Sequence, residues 1–120
     1  MNYFNIQPDQ LIITWFYFPT ASDKRIRYEK INALFYEEQN LKKQLFKVKG
    51  WGMSCSPCWW ACDTFRNFHS DSDPYTYYNV VIDCGEMTYK GFSCQNITSF
   101  LFAIQPKLRP DCIIKQEFPF

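Results

Sequence analysis

The stretch of residues 78–104 constrains the fold most strongly, because it has the pattern of a strand, a tight turn, a second strand and a capped helix. Residues 78–84 alternate between two faces, which is typical of a half-buried strand. Gly85 follows at a point where a hairpin turn needs a residue that tolerates positive φ. The pattern therefore predicts a β-hairpin whose second strand covers residues 87–94.

A helix over about residues 96–105 is predicted directly after this hairpin. Asn96 stands at the N-cap position, where its side chain can accept a hydrogen bond from a free amide of the first turn. Pro106 limits the helix, because proline lacks an amide donor and restricts the residue before it. One apolar stripe at helical spacing marks the side of the helix that packs on the domain: Ile97, Phe100, Leu101 and Ile104.

The first half of the chain is predicted to be mostly strands. Residues 11–18 are apolar on both faces and end at Pro19, as expected of a strand covered on both sides. We expect a short segment at 26–28, further strands at 31–36 and 44–49, and an apolar segment at 59–65. Strands followed by one helix indicate a mainly β (α+β) domain, either an antiparallel sheet or a barrel.

Several short motifs occur in an order that resembles pleckstrin-homology-like (PH-like) domains of the bacterial type. They are an I-x-Y-x-x-I segment at 26–31, a Gly/Trp loop at 50–54, W-W-A-C-D-x-x-R at 59–66 and G-F-x-C at 91–94. The resemblance implies a bent antiparallel barrel of about six to seven strands, closed by the C-terminal helix. Two departures are Arg27, where a proline is usual, and the inserted Cys55, Pro57 and Cys58.

The predicted elements divide the chain into three parts. Residues 1–10 form an N-terminal arm, in which Pro8 argues against regular structure. Residues 11–105 form the PH-like barrel domain, and residues 106–120 form a tail that lies along the domain or against a partner. The PH-like fold carries phosphoinositide binding, peptide binding and scaffolding, so the resemblance concerns fold more than activity.

Aromatic residues make up 20% of the chain, too many for the core of a domain of 120 residues. Some should therefore form an exposed apolar surface, which usually marks a partner site. The candidates for partner binding lie in predicted loops, in the apolar segment and in the tail: Trp51, Trp60, Phe65, Phe68, Tyr75, Phe118 and Phe120.

Positive charge is concentrated in one part of the chain. Residues 24–49 hold eight Lys/Arg and three Asp/Glu, although the formal net charge of the whole chain is only +1. Such a segment is most often a solvated face, but it could bind anionic lipid or phosphoinositide through charge-assisted hydrogen bonds to phosphate. The candidates for this alternative are Lys24, Arg25, Arg27, Lys47 and Lys49. Nucleic acid is disfavoured, because the aromatic residues do not interleave with the basic ones.

Six cysteines are present without an evident signal peptide. The main expectation is reduced thiols in an intracellular compartment, most of them buried as small apolar side chains. One alternative is disulfides formed in an oxidising compartment. The other is a small zinc or thiol protein that uses Cys55, Cys58 and Cys62, although a second C-x-x-C pair is missing. Asp63 and Arg66 are interpreted as a structural pair, and His69 as a surface histidine in a polar loop.

These observations favour a non-enzymatic protein-interaction or scaffold module, acting as a subunit or accessory part of a larger assembly. No cofactor and no catalytic residue are predicted. The alternatives are a peripheral membrane module and the zinc or thiol protein.

Overall fold

A computed structural model describes residues 3–44, 46–69 and 76–120. The described part of the chain is mainly sheet, with 33% of its residues in strands and 16% in helices. The strands form a three-stranded sheet and a six-stranded sheet, and one short helix follows near the C-terminus. The coarse prediction of a mainly β domain with a C-terminal helix is therefore confirmed.

The three-stranded sheet is antiparallel and consists of β1 (Phe4–Ile6), β2 (Gln10–Ile13) and β3 (Lys24–Arg27). The expectation that Pro8 keeps residues 1–10 irregular is wrong for β1. The predicted strand over residues 11–18 stops at Ile13, and the chain then turns back towards β3. The sheet contributes Leu11, Ile13 and Ile26 to the core.

The six-stranded sheet has the order β5–β6–β8–β7–β4–β9. Its members are β4 (Ala33–Glu38), β5 (Gly52–Met53), β6 (Cys58–Trp60), β7 (Tyr78–Asp83), β8 (Tyr89–Cys94) and β9 (Ile113–Lys115). The predicted hairpin is confirmed as β7 and β8, whereas β6 and β9 join the sheet through parallel pairs with β8 and β4. Across the described residues the sheet is open rather than closed into a barrel.

Two α-helices and two single-turn 3-10 helices, Tyr28–Lys30 and Gln105–Lys107, complete the described part of the chain. The short α1 (Leu41–Gln44) ends where a strand over 44–49 was expected to begin, and residues 46–49 are not in a strand, so that prediction is wrong. The predicted C-terminal helix is confirmed as α2 (Ile97–Ile104), and Asn96 caps it by accepting a hydrogen bond from the amide of Ser99 at 3.1 Å. No helix among the described residues is long and apolar enough to cross a membrane.

The six-stranded sheet is covered on both faces, because neighbouring residues of β7 belong to different cores. Val80 and Ile82 pack in the larger core, with the three-stranded sheet and with Phe100 and Ile104 of α2. Val81 points to the opposite face and packs in a smaller core with Cys58, Trp60 and Phe118. The C-terminal tail therefore covers the second face of the sheet, which would be exposed to solvent if β7 were only half-buried.

Candidate functional site

Four aromatic side chains form an exposed aromatic patch, which we define as Trp15, Tyr17, Phe18 and Trp51. The first three side chains are 50%, 40% and 57% exposed, and Trp51 is half-buried. The ring of Trp51 lies 6.2 Å from that of Trp15 and 5.2 Å from that of Phe18, measured between centroids. Two separate segments, the β2–β3 loop and the residue before β5, thus build one surface.

The patch is held in place by hydrogen bonds to its backbone. The carbonyl of Phe16 accepts the indole N–H of Trp51 at 3.0 Å and that of Trp59 at 2.9 Å. The Phe16 ring is fully buried, so it anchors the loop that carries the exposed aromatic side chains on either side of it. The amides of Phe16 and Tyr17 both donate to the carbonyl of Ser22, which closes the loop. The patch is therefore largely pre-organised.

Sequence reasoning missed three of the four patch residues, because it assigned residues 11–18 to a strand covered on both sides. The informative feature was the run of four consecutive aromatic residues before Pro19, which exceeds what one short strand can bury. Trp15 itself adopts a φ of 49°, a conformation that ends the strand and turns its ring outwards.

The predicted partner-binding residues are dispersed. Trp60 is fully buried and Phe118 is 7% exposed, so neither ring can serve as an exposed anchor; both belong to the smaller core. Phe65 and Phe68 are 67% and 64% exposed in the turn after β6. Trp51 belongs to the aromatic patch, Phe120 is half-buried against Tyr89, and Tyr75 lies outside the described residues.

A basic cleft lies beside the aromatic patch. It has a volume of about 330 Å³ and is lined by Lys24, Arg25, Ile26, Arg27, Lys30, Cys84 and Glu86. The predicted loop cations Lys24, Arg25 and Arg27 therefore meet in one place, but on strand β3 rather than in a loop. Lys47 and Lys49 do not line this cleft; their carbonyls instead accept hydrogen bonds from the side chains of Trp60 and Arg66.

Much of the positive charge of the basic cleft is already paired. Lys24 and Lys90 contact Glu86 at 2.9 and 3.1 Å, and the hydrogen bond from Lys24 is the main reason that the pKa of Glu86 falls to about 2. Burial lowers the pKa of Lys24, but hydrogen bonds with Glu86 and Tyr17 outweigh it and raise the pKa overall. Lys24 directly follows the β2–β3 loop, in which the amide of Trp15 donates to Asp23, so the cleft lies next to the aromatic patch.

Arg27 is also paired, since it contacts Glu29 at 2.7 Å and Asp9 at 3.9 Å. Within the described ranges, Arg25 and Lys30 are exposed and make no ion pair. Any anion that enters the cleft would therefore meet these two cations first.

A buried polar network lies on the second face of the six-stranded sheet. Arg66 donates hydrogen bonds to Asn79, Ser93 and the carbonyl of Ala61, and its guanidinium lies 4.7 Å from the Trp60 ring. Burial lowers the pKa of Arg66 to about 10, so the side chain stays charged at neutral pH. Arg66 and Asp63 do belong to one structural unit, as predicted, but they share Ser93 rather than forming a direct ion pair.

His69 is part of the same network and is not the surface histidine that the sequence suggested. Its Nε2 lies 2.8 Å from Asp63 Oδ2, its side chain is 15% exposed, and its ring stacks on Tyr77 at 3.7 Å. Ser93 hydrogen-bonds the same carboxylate. Serine and histidine thus both bond aspartate and not each other, which is not the order that activates a serine nucleophile.

All six cysteines are free thiols, and they are spread through the fold. Cys58 and Cys62 are buried, and burial raises the pKa of both thiols, whereas Cys55 is exposed. Among the described residues, no three His, Cys, Asp or Glu side chains converge in a way that could hold a metal ion. The geometry therefore lends no support to Cys55, Cys58 and Cys62 as ligands.

Comparison with known proteins identifies no relative: no family model matches the chain, and no curated protein or solved structure matches it.

Proposed function

We propose that this chain is a non-enzymatic protein-interaction module, a subunit or accessory component of a larger assembly that contacts its partner through the aromatic patch. The observation that best supports this proposal is that the rings of Trp15, Phe18 and Trp51 form one cluster at the surface. The cluster comes from two segments, which are joined by the hydrogen bond from the Trp51 indole to the Phe16 carbonyl. Exposed apolar patches of this kind mark interaction sites, and tryptophan is enriched among the residues that dominate binding energy. Pre-organisation lowers the entropy that such side chains lose on binding.

For the fold, we propose a relationship to PH-like domains. The order of strands followed by the closing helix α2 supports it, as does the packing of Phe100 and Ile104 against the sheets. The open six-stranded sheet and the two parallel pairs depart from a closed antiparallel barrel. The six free thiols agree with the proposal of a reducing intracellular compartment.

The interaction proposal can be tested by affinity capture from the native source with the immobilised chain. Trp15→Ser combined with Phe18→Ser removes two exposed rings of the patch, and partners retained by the wild type should then be lost. Phe65→Ser combined with Phe68→Ser is the matched control, because these rings are even more exposed but lie elsewhere. With a purified partner, the patch variant should weaken binding by about a hundredfold or more. Equal retention by both variants, or no retained partner, would contradict the proposal.

A second candidate function is peripheral binding to anionic lipid through the basic cleft. The specific observation in its favour is that three predicted cations line one cleft, which adjoins exposed aromatic side chains. Aromatic and basic residues side by side suit the interface of an anionic membrane.

Co-sedimentation with phosphatidylserine-containing vesicles separates the two candidates. If lipid is the ligand, binding should fall with added salt, and Arg25→Glu with Lys30→Glu should abolish it. Lys42→Glu with Lys107→Glu, at exposed cations outside the cleft, should leave it intact. Failure of the wild type to sediment with these vesicles would exclude this candidate.

A further inference from the structure

A groove of about 590 Å³ lies between β1 and α2, separate from the aromatic patch. One wall is the strand β1 with its neighbour Tyr3, and the other wall is one side of α2. The residues that line the groove are all uncharged: Tyr3, Phe4, Asn5, Ile6, Thr14, Gln95, Asn96, Ser99, Phe100 and Ala103. We therefore expect the groove to bind a ligand that carries no charge on the side that contacts these residues.

The register of β1 shows which backbone groups face away from β2. The amide of Thr14 donates to the carbonyl of Tyr3, and the amide of Gln7 donates to the carbonyl of Gln10. These hydrogen-bonded pairs alternate with non-hydrogen-bonded ones in an antiparallel ladder, so Phe4 and Ile6 occupy the non-hydrogen-bonded positions opposite Ile13 and Leu11.

The N–H and C=O groups of Phe4 and Ile6 consequently point to the outer edge of β1. Among the described residues this edge has no strand beside it, since β1 pairs with β2 alone. It presents two donors and two acceptors at the spacing of an extended main chain.

Side chains fix the floor of the groove. Phe4 packs edge-to-face on Phe100 with centroids 4.9 Å apart, and it also contacts Phe92 at 5.4 Å. These aromatic contacts join β1 to the core and to α2, so the edge and the helix are held at a set distance. Ser99 and Ala103, both exposed, supply small side chains on the helical wall and leave room for a ligand.

We propose that this groove binds an extended, uncharged peptide segment of a partner protein, which adds to the sheet as a strand along the outer edge of β1. Main-chain hydrogen bonds to Phe4 and Ile6 provide the register, and an apolar side chain of the peptide rests on the Phe4–Phe100 floor. The site is distinct from the aromatic patch, so a partner can engage both surfaces and gain avidity.

Selection of random peptides of about seven residues, the length of an ordinary strand, against the immobilised chain tests the proposal. Selected peptides should perturb the amide resonances of β1 and α2 in NMR spectra of the labelled protein. Ser99→Arg places a long side chain in the groove and should weaken binding by about tenfold or more. Thr98→Arg is the matched control, because Thr98 is the exposed neighbour outside the groove in the same helical turn.

Methylation of single backbone nitrogens of the selected peptide adds a readout specific to strand addition. Methylation should abolish binding at every second position of the peptide and should be tolerated at the positions between, because alternate amides of an added strand face β1. Recovery of no peptide, binding insensitive to Ser99→Arg, or a methylation profile without this alternation would each overturn the proposal. Trp15→Ser with Phe18→Ser should leave peptide binding unchanged, which separates this inference from the proposed function of the aromatic patch.

Discussion

Arg66 donates a hydrogen bond from Nη1 to Oδ1 of Asn79 at 2.7 Å, and both side chains are buried. The bond joins the segment after β6 to the start of β7. Arg66 makes further bonds to Ser93 and to the carbonyls of Ala61 and Lys49, so one side chain connects four parts of the chain. Because Asp63 lies close by, the buried positive charge has a compensating negative charge.

Arg66→Met should therefore destabilise the protein strongly. The substitution keeps an apolar stem but removes the buried hydrogen bonds that the guanidinium makes to Asn79, Ser93 and the carbonyl of Ala61. Hydrogen bonds to a charged group contribute about 1.5–3 kcal/mol each, so we expect a loss of about 3 kcal/mol or more. Urea denaturation followed by tryptophan fluorescence measures the change in the free energy of unfolding. Lys49→Met, at an exposed position that contributes only its carbonyl to Arg66, should change it by less than about 0.5 kcal/mol. Similar stabilities of the two variants would contradict the role given to Arg66.

Gly91→Ala should be destabilising because a Cβ at this position of β8 would overlap the six-membered ring of Trp60. Trp60 is fully buried and cannot move aside, so the expected loss is about 3 kcal/mol, at the upper end for overpacked cores. Thermal and urea unfolding measure it. In Gly50→Ala, by contrast, the new Cβ would lie 3.4 Å from the nearest atom, and the change should stay within about 1 kcal/mol.

A double variant tests the cause of this loss. Trp60→Leu in the Gly91→Ala background removes the ring that the new methyl group meets. The two substitutions together should cost less than the sum of their separate effects. Strict additivity would show that the glycine is needed for another reason.

Glu86→Gln should lower stability at neutral pH by an amount that disappears in acid. Hydrogen bonding to Lys24 and then to Lys90 favours the ionised carboxylate and lowers the pKa of Glu86 from 4.5 to about 2. Its contribution is therefore complete above about pH 4.5 and is lost as the pH falls towards 2. The carboxylate is 48% exposed, so solvent screening limits the contribution to about 1 kcal/mol or less.

The measurement for Glu86 is the free energy of unfolding of the wild type and the variant between pH 7 and pH 2. The gap between them should close over the acid part of this range. Glu117→Gln, at an exposed position that makes no ion pair among the described residues, should show almost no gap over this range. A gap that persists unchanged at pH 2 would refute the assignment to Glu86 ionisation.

Phe118→Ala should detach the tail from the second face of the sheet. Phe118 packs on Trp60, and its amide donates to the buried carboxylate of Glu37 at 2.6 Å. Truncation of a buried phenylalanine costs about 3–5 kcal/mol, and hydrogen exchange should accelerate in β9. Phe102→Ala makes the same chemical change at a side chain that is 83% exposed, and it should cost less than about 0.5 kcal/mol. Equal losses would show that the tail does not belong to the core.

Sequence patterns predicted those strands and helices that are determined by residues close together in the chain. The β7–β8 hairpin follows from alternation and from Gly85, which has a φ of 80°. Helix α2 follows from the Asn96 cap and from its apolar stripe. In each case the residues that determine the structure lie within a few positions of one another, so sequence spacing alone is informative.

The aromatic patch could not be predicted in this way. Trp15 and Phe18 are residue types that are common in a covered strand. They are exposed because the chain leaves the strand after Ile13 and turns back towards β3. Their neighbour Trp51 comes from a segment more than thirty positions away, and the bond to Phe16 that brings it there is long-range. Hydrophobicity shows that these rings are apolar but does not say which of them are covered.

The sequence by itself determined the mainly β class, the final hairpin and the capped helix, because these depend on periodicity, turn chemistry and capping between near neighbours. The tertiary structure alone decided how the two faces of β7 are used. The sequence pattern predicts that Asn79 and Val81 lie on the more exposed face of a half-buried strand. In the structure both are buried, because Arg66 hydrogen-bonds Asn79 and Phe118 of the C-terminal tail packs near Val81. Burial depends on what distant segments place against a residue, and those contacts leave no periodic pattern in the sequence.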